Sequence, residues 1–316
     1  MSVGVVICAY TEQRWDQLER AVRSVDRQAV EHELAGVVDH NDRLLERARS
    51  RWPEHRVVEN RHAPGLSGAR NTGVQLLQHR VIAFLDDDAW AHQGWLLRLT
   101  EPFSDDAVGL TGGLVEPEWA GARPTWFPDE FLWVVGCSYR GLPTTPADIR
   151  NPIGASMAVR REVFERVGLF QDGIGRVGKT PLGCEETELA IRAAGIGYRS
   201  RYAPDSIVSH HVGADRTEVS YFVRRCRAEG RSKALVAQLA APGTALESER
   251  SYVAHTIPKA LLDCVRPNRG RPVRVAIATM AIIITGCSVA AGSYFAARLQ
   301  LLVSSRSRQL PSAQRL

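Results

Sequence analysis

The sequence predicts an α/β protein: a mostly parallel sheet flanked by helices, followed by a helical C-terminal tail. Apolar runs of strand length alternate with stretches of helical periodicity through the first ninety residues. Those runs are apolar throughout instead of alternating with polar residues, as strands covered on both faces require. A later uncharged stretch, 275–297, supplies the tail helix.

The elements follow in order. Residues 3–10, VGVVICAY, read as a fully buried strand. No basic segment precedes this run and no cleavage site follows it, so it is expected to be the first strand and not a signal peptide. In 15–28, Leu18, Ala21, Val22 and Val25 recur at helical spacing. Residues 33–39 give the next strand, 42–52 the next helix and 56–60 a short strand. A helix is expected over 67–78, opened by Ser67 as its cap. Residues 80–86, RVIAFLD, are again a buried strand. In such sheets ligands gather at the carboxyl ends of the strands, where Asp39 and Asp86 both fall. Beyond residue 110, Gly112-Gly113 mark a bulge or a close backbone approach within a strand. A loop with Trp119, Trp126 and Trp133 follows; these rings either meet a ligand or pack the loop. Residues 153–170 read as strand then helix, 183–195 as an acid-headed helix and 198–212 as two short strands. Residues 217–240 read as a long basic helix, interrupted near Gly230.

With 44% apolar and 24% charged residues, the 316-residue chain is globular and not disordered. Its net charge is +5, and only three of its 40 basic residues are lysines. Arginine is the better bidentate partner for phosphate, so phosphate contacts are consistent with this bias without being shown by it. The charge comes with no nucleic-acid-binding motif, and no nucleic-acid partner is expected. The six cysteines form no CxxC pair and have no zinc-like spacing with histidine, which excludes a disulfide scaffold and points to a reducing, cytoplasmic compartment.

The tail segment 275–297 would span ~34 Å as a helix, against a hydrocarbon core of ~30 Å. Arginines flank both sides, so the charge rule does not set an orientation. The segment reads either as a membrane span or as a buried or membrane-surface helix. The chain divides accordingly into 1–240, a catalytic domain; 241–274, a basic amphipathic connector; 275–297, the candidate membrane helix; and 298–316, a basic, disordered tail.

The stretch FLDDDAW (84–90) ends a buried strand in three acids. Asp86 and Asp88, two apart, suit a hard divalent cation that prefers oxygen ligands and keeps substrate phosphates in its shell. A solvated loop would account for them equally when they are taken alone. GLSGARNTG (65–73) sets Arg70 and Asn71 near a glycine-framed helix start, which suits a nucleotide diphosphate or, more plainly, a capped helix. CEETEL (184–189) crowds Glu185, Glu186 and Glu188 into one turn. Crowded carboxylates raise one another's pKa and can poise a base, while a helix dipole also favours acids there. His210 ends a strand, where it serves either structure or a metal.

Taken in order, VVICAYTE, VVD, GLSGARNTG, AFLDDDAW, IGASMAVRREVFERVGLF, CEETELAIRAAG and IVSHHVGADR resemble the family 2 glycosyltransferases, of GT-A (Rossmann-like) fold, over about residues 3–235. The resemblance implies that Tyr10, Glu12 and Asp39 hold the nucleotide, with Arg70 and Asn71 beside it. Asp86 then faces ribose and metal, and Asp88 and His210 the metal, as in the D-x-D signature. Asp87 is expected to face elsewhere. The catalytic base falls on Glu185-Glu186, where the second position carries Glu in place of the family's Asp. Gly113, Trp119, Gly154, Ala155 and Ser156 are expected to line the acceptor or sugar pocket. The usual acids after the second strand are here DHNDRLL, a departure from the family pattern.

The function so implied is metal-dependent transfer of a sugar, a hexose by class, from a UDP-, GDP- or dTDP-sugar to an acceptor hydroxyl with inversion. Mg²⁺ or Mn²⁺ is the cofactor. The acceptor is a glycan or lipid-linked, as for an envelope polysaccharide, and the catalytic domain lies on the inner face of the cell membrane. The competing readings are a nucleotidyltransferase-like enzyme, which would want a lysine-rich phosphate loop where this chain has no lysine before Lys179, and a non-catalytic nucleotide-sugar-binding membrane protein.

Overall fold

The structure, a computed structural model, describes residues 2–171, 175–176, 183–239, 247–266 and 272–308. The arginine-rich stretch with Arg269 and Arg271, and the tail beyond 308, lie outside the described residues.

The first half is a run of alternating units. Strand β1 (Val3–Ala9) leads to α1 (Trp15–Asp26), β2 (His32–Val38), α2 (Asp42–Arg51), β3 (Arg56–Glu59), α3 (Leu66–Leu76) and β4 (Val81–Asp86). The strands β3-β2-β1-β4 pair in that order and all in parallel. Continuous apolar sequence follows from two covered faces. Val5 and Ile7 of β1 and Ala83 and Leu85 of β4 join one apolar cluster, with Trp15, Leu18 and Val22 of α1. Val6, Ile82 and Phe84 point the other way and join Ala69 and Val74 of α3. Gly73 lets α3 approach that face, since a Cβ there would sit 2.5 Å from Val6 Cγ1.

The second half is mixed. It comprises β5 (Ala89–Ala91), α4 (Trp95–Thr100), β6 (Val108–Trp119), β7 (Ala147–Ile149), β8 (Ser156–Arg160), α5 (Arg161–Val167), α6 (Glu185–Ala194) and β9 (Arg199–Val212). Among the described residues the sheet continues β4-β8-β6-β9-β5, with β7 also on β9. β8 runs antiparallel to β4 and β6, while β6 and β9 are parallel. The parallel expectation therefore holds for the first four strands, and the sheet as a whole is a mixed α/β sheet with flanking helices.

Three local expectations are corrected. Ser67 does not cap α3: the helix starts at Leu66 after Gly65, whose φ of 128° turns the chain, and Ser67 lies inside the first turn. Residues 199–212 form one strand and not two. The register between β6 and β9 slips at Gly113, where the strand bulges, so the polar Pro204–Ser206 stretch is absorbed without ending the ladder. Helix α7 (Val219–Leu239) runs unbroken through Gly230. That glycine serves contact: a Cβ there would lie 2.2 Å from the Ala290 carbonyl oxygen of a later helix.

After α7 come α8 (Glu247–Ser251), one wide turn at Tyr252–Thr256, α9 (Ile257–Val265) and the long α10 (Val273–Arg308). Helix α10 has a mean hydropathy of 2.0 over its most apolar window, of which only 22% is buried. Ile283 and Thr279 face inward, and Gly286 fits against Phe131 and Phe222. Ile277, Ile284, Phe295, Leu299, Leu302 and Val303 are exposed.

Candidate active site

The carboxyl ends of β1, β2 and β4, the first turns of α3 and α6, and the end of β9 converge on one cavity of about 850 Å³. Its wall includes Tyr10, Arg14, Asp39, Arg70, Asp86, Asp87, Asp88, Gly154, Ala155, Glu185, Glu186 and His210.

The three adjacent acids have different surroundings. Asp86, half-buried, receives Arg70 Nη2 at 3.3 Å. Asp88 is buried among nitrogen donors: His210 Nε2 lies 3.1 Å from Oδ1, and Arg216 Nη2 and Arg14 Nη1 lie 3.0 and 3.1 Å from Oδ2. Burial would push its pKa up, but His210, Arg14 and Arg216 outweigh burial and hold the carboxyl well below its usual range. Asp87 is also buried and, among the described residues, pairs with Arg14 alone, at 2.9 Å. Burial and the charges of Asp88 and Asp86 push its carboxyl well above the usual range against the pull of Arg14. Asp87 therefore lines the cavity wall while gripping the Arg14 turn.

Asp86, Asp88 and His210 each offer one ligand atom, all within 4.8 Å of one another. Two carboxylates and an imidazole are a donor set that a hard or borderline divalent cation accepts. Arg216 Nη1 and Asp87 Oδ2, both buried beside this set, have no hydrogen-bond partner among the described residues. An orphaned guanidinium nitrogen next to a cation site suits the oxygen of an anionic ligand.

Arg70, 2% exposed, is the joint of the site. Its Nη1 donates to Glu185 Oε1 at 2.9 Å, and its Nη2 to the Gly154 carbonyl at 3.0 Å and to Asp86. A Cβ at Gly154 would stand 2.8 Å from Nη2, so the glycine admits the guanidinium. Arg70 thus ties β4 to the head of α6, with its fork turned to the protein. Glu185 is fixed by this pair, while Glu186, half-buried, faces the cavity with no ion-pair partner among the described residues. Burial and the charge of Glu185 push the Glu186 carboxyl up to about 8, against the pull of Arg70. Cys184 enters the helix at φ 76°, which turns the two glutamates inward.

Asp39 follows β2 on the cavity wall. Its Oδ2 accepts from the Gly65 N–H at 2.8 Å, and its Oδ1 from Asn60 Nδ2 at 2.7 Å. Tyr10, 45% exposed, stands at the mouth with Arg14 over its ring.

Other expected residues lie outside the cavity wall. Glu12 sits 3.9 Å from Arg43 on an exposed turn. Asn71 is buried, its amide donating to the Phe170 carbonyl and accepting from the Phe170 N–H. Ser156 accepts from Trp95 Nε1, Gly113 packs on Ser206, and Trp119 packs edge-on against Phe127. These three are core contacts and not an acceptor pocket; of that set, Gly154 and Ala155 reach the wall. Trp126 also packs on Phe127, whereas Trp133 lines the cavity.

Arg14 and Arg216 escaped the sequence reading. Arg216 closes the motif IVSHHVGADR and Arg14 follows Glu12 by two residues, but nothing in an arginine-rich sequence sets either apart. Only the fold brings them to Asp88.

Acids at the ends of parallel strands, a histidine near a strand end and a glutamate pair at the head of a facing helix make up a GT-A type glycosyltransferase. The comparisons with known proteins agree. The model of the family described as Glycosyl transferase family 2 matches residues 4–168. A glucosyl-dolichyl phosphate glucuronosyltransferase of Haloferax volcanii is 34% identical over 243 residues, 74% of this chain and 76% of that protein. A pre-mycofactocin glycosyltransferase of Mycobacterium tuberculosis is 27% identical over 182 residues, 57% of this chain but 37% of that protein. The solved structure of a Pyrobaculum calidifontis mannosyltransferase, in complex with GDP-Man and Mn²⁺, has a TM-score of 0.59 and 17% identity, covering 90% of this chain and 86% of that one. This chain belongs to the family 2 glycosyl transferases and is a glycosyltransferase.

Proposed function

We propose that this enzyme transfers a hexose-class sugar from a nucleotide-sugar to an acceptor hydroxyl, inverting the anomeric carbon, with Glu186 as the base. The observation that carries this reading is the meeting of Asp86, Asp88 and His210 with the Glu185–Glu186 pair in one cavity, joined through Arg70. Asp86, Asp88 and His210 would hold Mg²⁺ or Mn²⁺, which when bound neutralises charge on the leaving diphosphate.

The chain's own residues supply the rest. Glu186 takes the proton of the acceptor hydroxyl, whose oxygen forms a bond to the anomeric carbon from the face opposite the diphosphate. The bond from that carbon to the diphosphate oxygen breaks, and the nucleoside diphosphate leaves with the electron pair. Arg216 and Arg14, beside Asp88, offer donors to charge that grows on that oxygen. Glu185 and Arg70 keep the head of α6 at this distance from the acids. Tyr10 and Asp39 form the end that receives the nucleotide of a UDP-, GDP- or dTDP-sugar.

The similarity to a glucosyl-dolichyl phosphate glucuronosyltransferase supports a lipid-linked acceptor over a free glycan. Helix α10 supports membrane attachment by its surface and not by crossing. One face is taken up by α7, and the other is an apolar stripe from Ile277 to Leu302. The catalytic body then sits at the cytoplasmic face of the membrane. The test is proton NMR of the product formed from whichever nucleotide-sugar is turned over with Mn²⁺. The new linkage should carry the configuration opposite to the donor's; the same configuration would contradict single displacement by an acceptor that Glu186 activates.

A further inference from the structure

A second group of polar residues lines the same cavity beyond the glutamate pair. Lys233 Nζ of α7 lies 2.8 Å from Glu249 Oε1 and 3.2 Å from Glu229 Oε1. Arg150 also pairs with Glu249. This network stands against the head of α6: Ser232 Oγ accepts from the Gly183 N–H at 3.2 Å, and Glu229 Oε1 lies 3.8 Å from Cys184 Sγ. Only Glu185 separates Cys184 from Glu186 in the chain. Tyr139 and Tyr252, edge to face at 5.7 Å, line the wall beside it. Past them the cavity wall becomes Gly286, Ala290, Ala291, Tyr294 and Phe295 of α10, and Phe295 is 68% exposed.

Stability alone does not account for this arrangement. Half-buried ion pairs gain little over well-packed apolar residues of the same volume. Two cations and two carboxylates set on an open wall present donors and acceptors together, which is what a ring of hydroxyls needs, since each hydroxyl both donates and accepts. Aromatic faces beside them suit the C–H face of a sugar. The wall then passes without a break into the apolar stripe of the surface helix.

We propose that this wall is the acceptor subsite, and that it takes an amphiphilic glycoside: the sugar between Glu186 and the Arg150–Glu229–Lys233–Glu249 network, the apolar chain along Tyr294 and Phe295 of α10. The proposal rests on the glycosyl-transfer reading above and adds to it the residues that hold the acceptor's sugar and its apolar chain.

The experiment uses the full chain, the nucleotide-sugar that it hydrolyses in the presence of Mn²⁺, and a series of methyl, octyl and dodecyl glucosides as acceptors below their micellar concentrations. KM for the acceptor should fall by about tenfold or more from methyl to dodecyl. Phe295→Ser, at an exposed position, should flatten that chain-length dependence. Lys233→Met and Glu249→Gln should raise KM for every glucoside by about tenfold. All three variants should leave metal-dependent hydrolysis of the donor within about twofold. Donor hydrolysis with no chain-length dependence, or with the dependence intact in Phe295→Ser, overturns the acceptor proposal and leaves the transfer reading standing. Absence of donor hydrolysis in the unaltered chain overturns the transfer reading itself. If Lys233→Met fails to fold, the aglycone series and Phe295→Ser still decide.

Discussion

Asp86, Asp87 and Asp88 are neighbours in sequence but differ in their partners, and the same is true of Glu185 and Glu186. Glu185 gives its charge to Arg70, whereas Glu186 has neither cation nor solvent enough to settle its own. Substituting the two should therefore have different results. Glu186→Gln should lower kcat by a factor of about a thousand, with donor KM and melting temperature almost unchanged, because it removes the base alone. Glu185→Gln should instead lower stability by about 3 kcal/mol in chemical denaturation, because among the described residues it leaves the charge of buried Arg70 paired with half-buried Asp86 alone. The raised carboxyl of Glu186 also fixes the direction of the pH dependence. A base must be deprotonated, so kcat/KM should climb as pH rises and level off above about 8. Stability should move the other way. A carboxyl whose folded pKa lies above its unfolded 4.5 favours the folded state at low pH, and loses that contribution as pH rises towards 8. Urea midpoints measured between these limits check the second trend, and initial rates the first.

At the level of elements, the parallel strands and their helices were legible because their signals are local: continuous apolar strands, one apolar helical face, acids at strand ends. Asp86, Asp88, His210 and the glutamate pair were legible for a related reason, since each lies at or within two residues of the end or head of an element. What escaped depends on contacts between distant segments. Gly230 reads as a helix break by propensity, yet α10 packs so closely there that no other residue fits. The slip in register that keeps β9 whole leaves Pro204–Ser206 unmatched between Gly113 and Leu114 of β6, a pairing that periodicity along β9 alone does not reveal. Ser156 stands next to the wall residue Ala155 in the chain but bonds Trp95 in the core, and Trp119 packs on Phe127. The account of Gly230 can be checked directly. Gly230→Leu should force α10 off α7, lower the melting temperature by several degrees and speed the release of α10 in limited proteolysis. An unchanged melting curve would show that the helix contact does not hold α10 in place.

The whole molecule has two working faces: an open cavity at the strand ends and an apolar stripe on α10. If the stripe rests on a bilayer surface, the full chain should float with anionic phospholipid vesicles. A variant with Phe295, Leu299 and Leu302 changed to serine should remain in the aqueous fraction with its donor hydrolysis intact. These side chains are exposed, so the change leaves the packing on α7 alone. Extraction of the unaltered protein by high-pH carbonate is the expected behaviour of a surface helix, whereas resistance to it would mean that α10 crosses the bilayer. The central claim concerns the other face: that Asp86, Asp88 and His210 together make a divalent cation site that serves a nucleotide diphosphate. Titration calorimetry of UDP and GDP, each with and without Mn²⁺, tests it most directly. The account predicts that one of them binds at least about tenfold more tightly with Mn²⁺, and that Asp88→Ala abolishes this gain. Equal affinity with and without the metal, or a gain that survives Asp88→Ala, would contradict it.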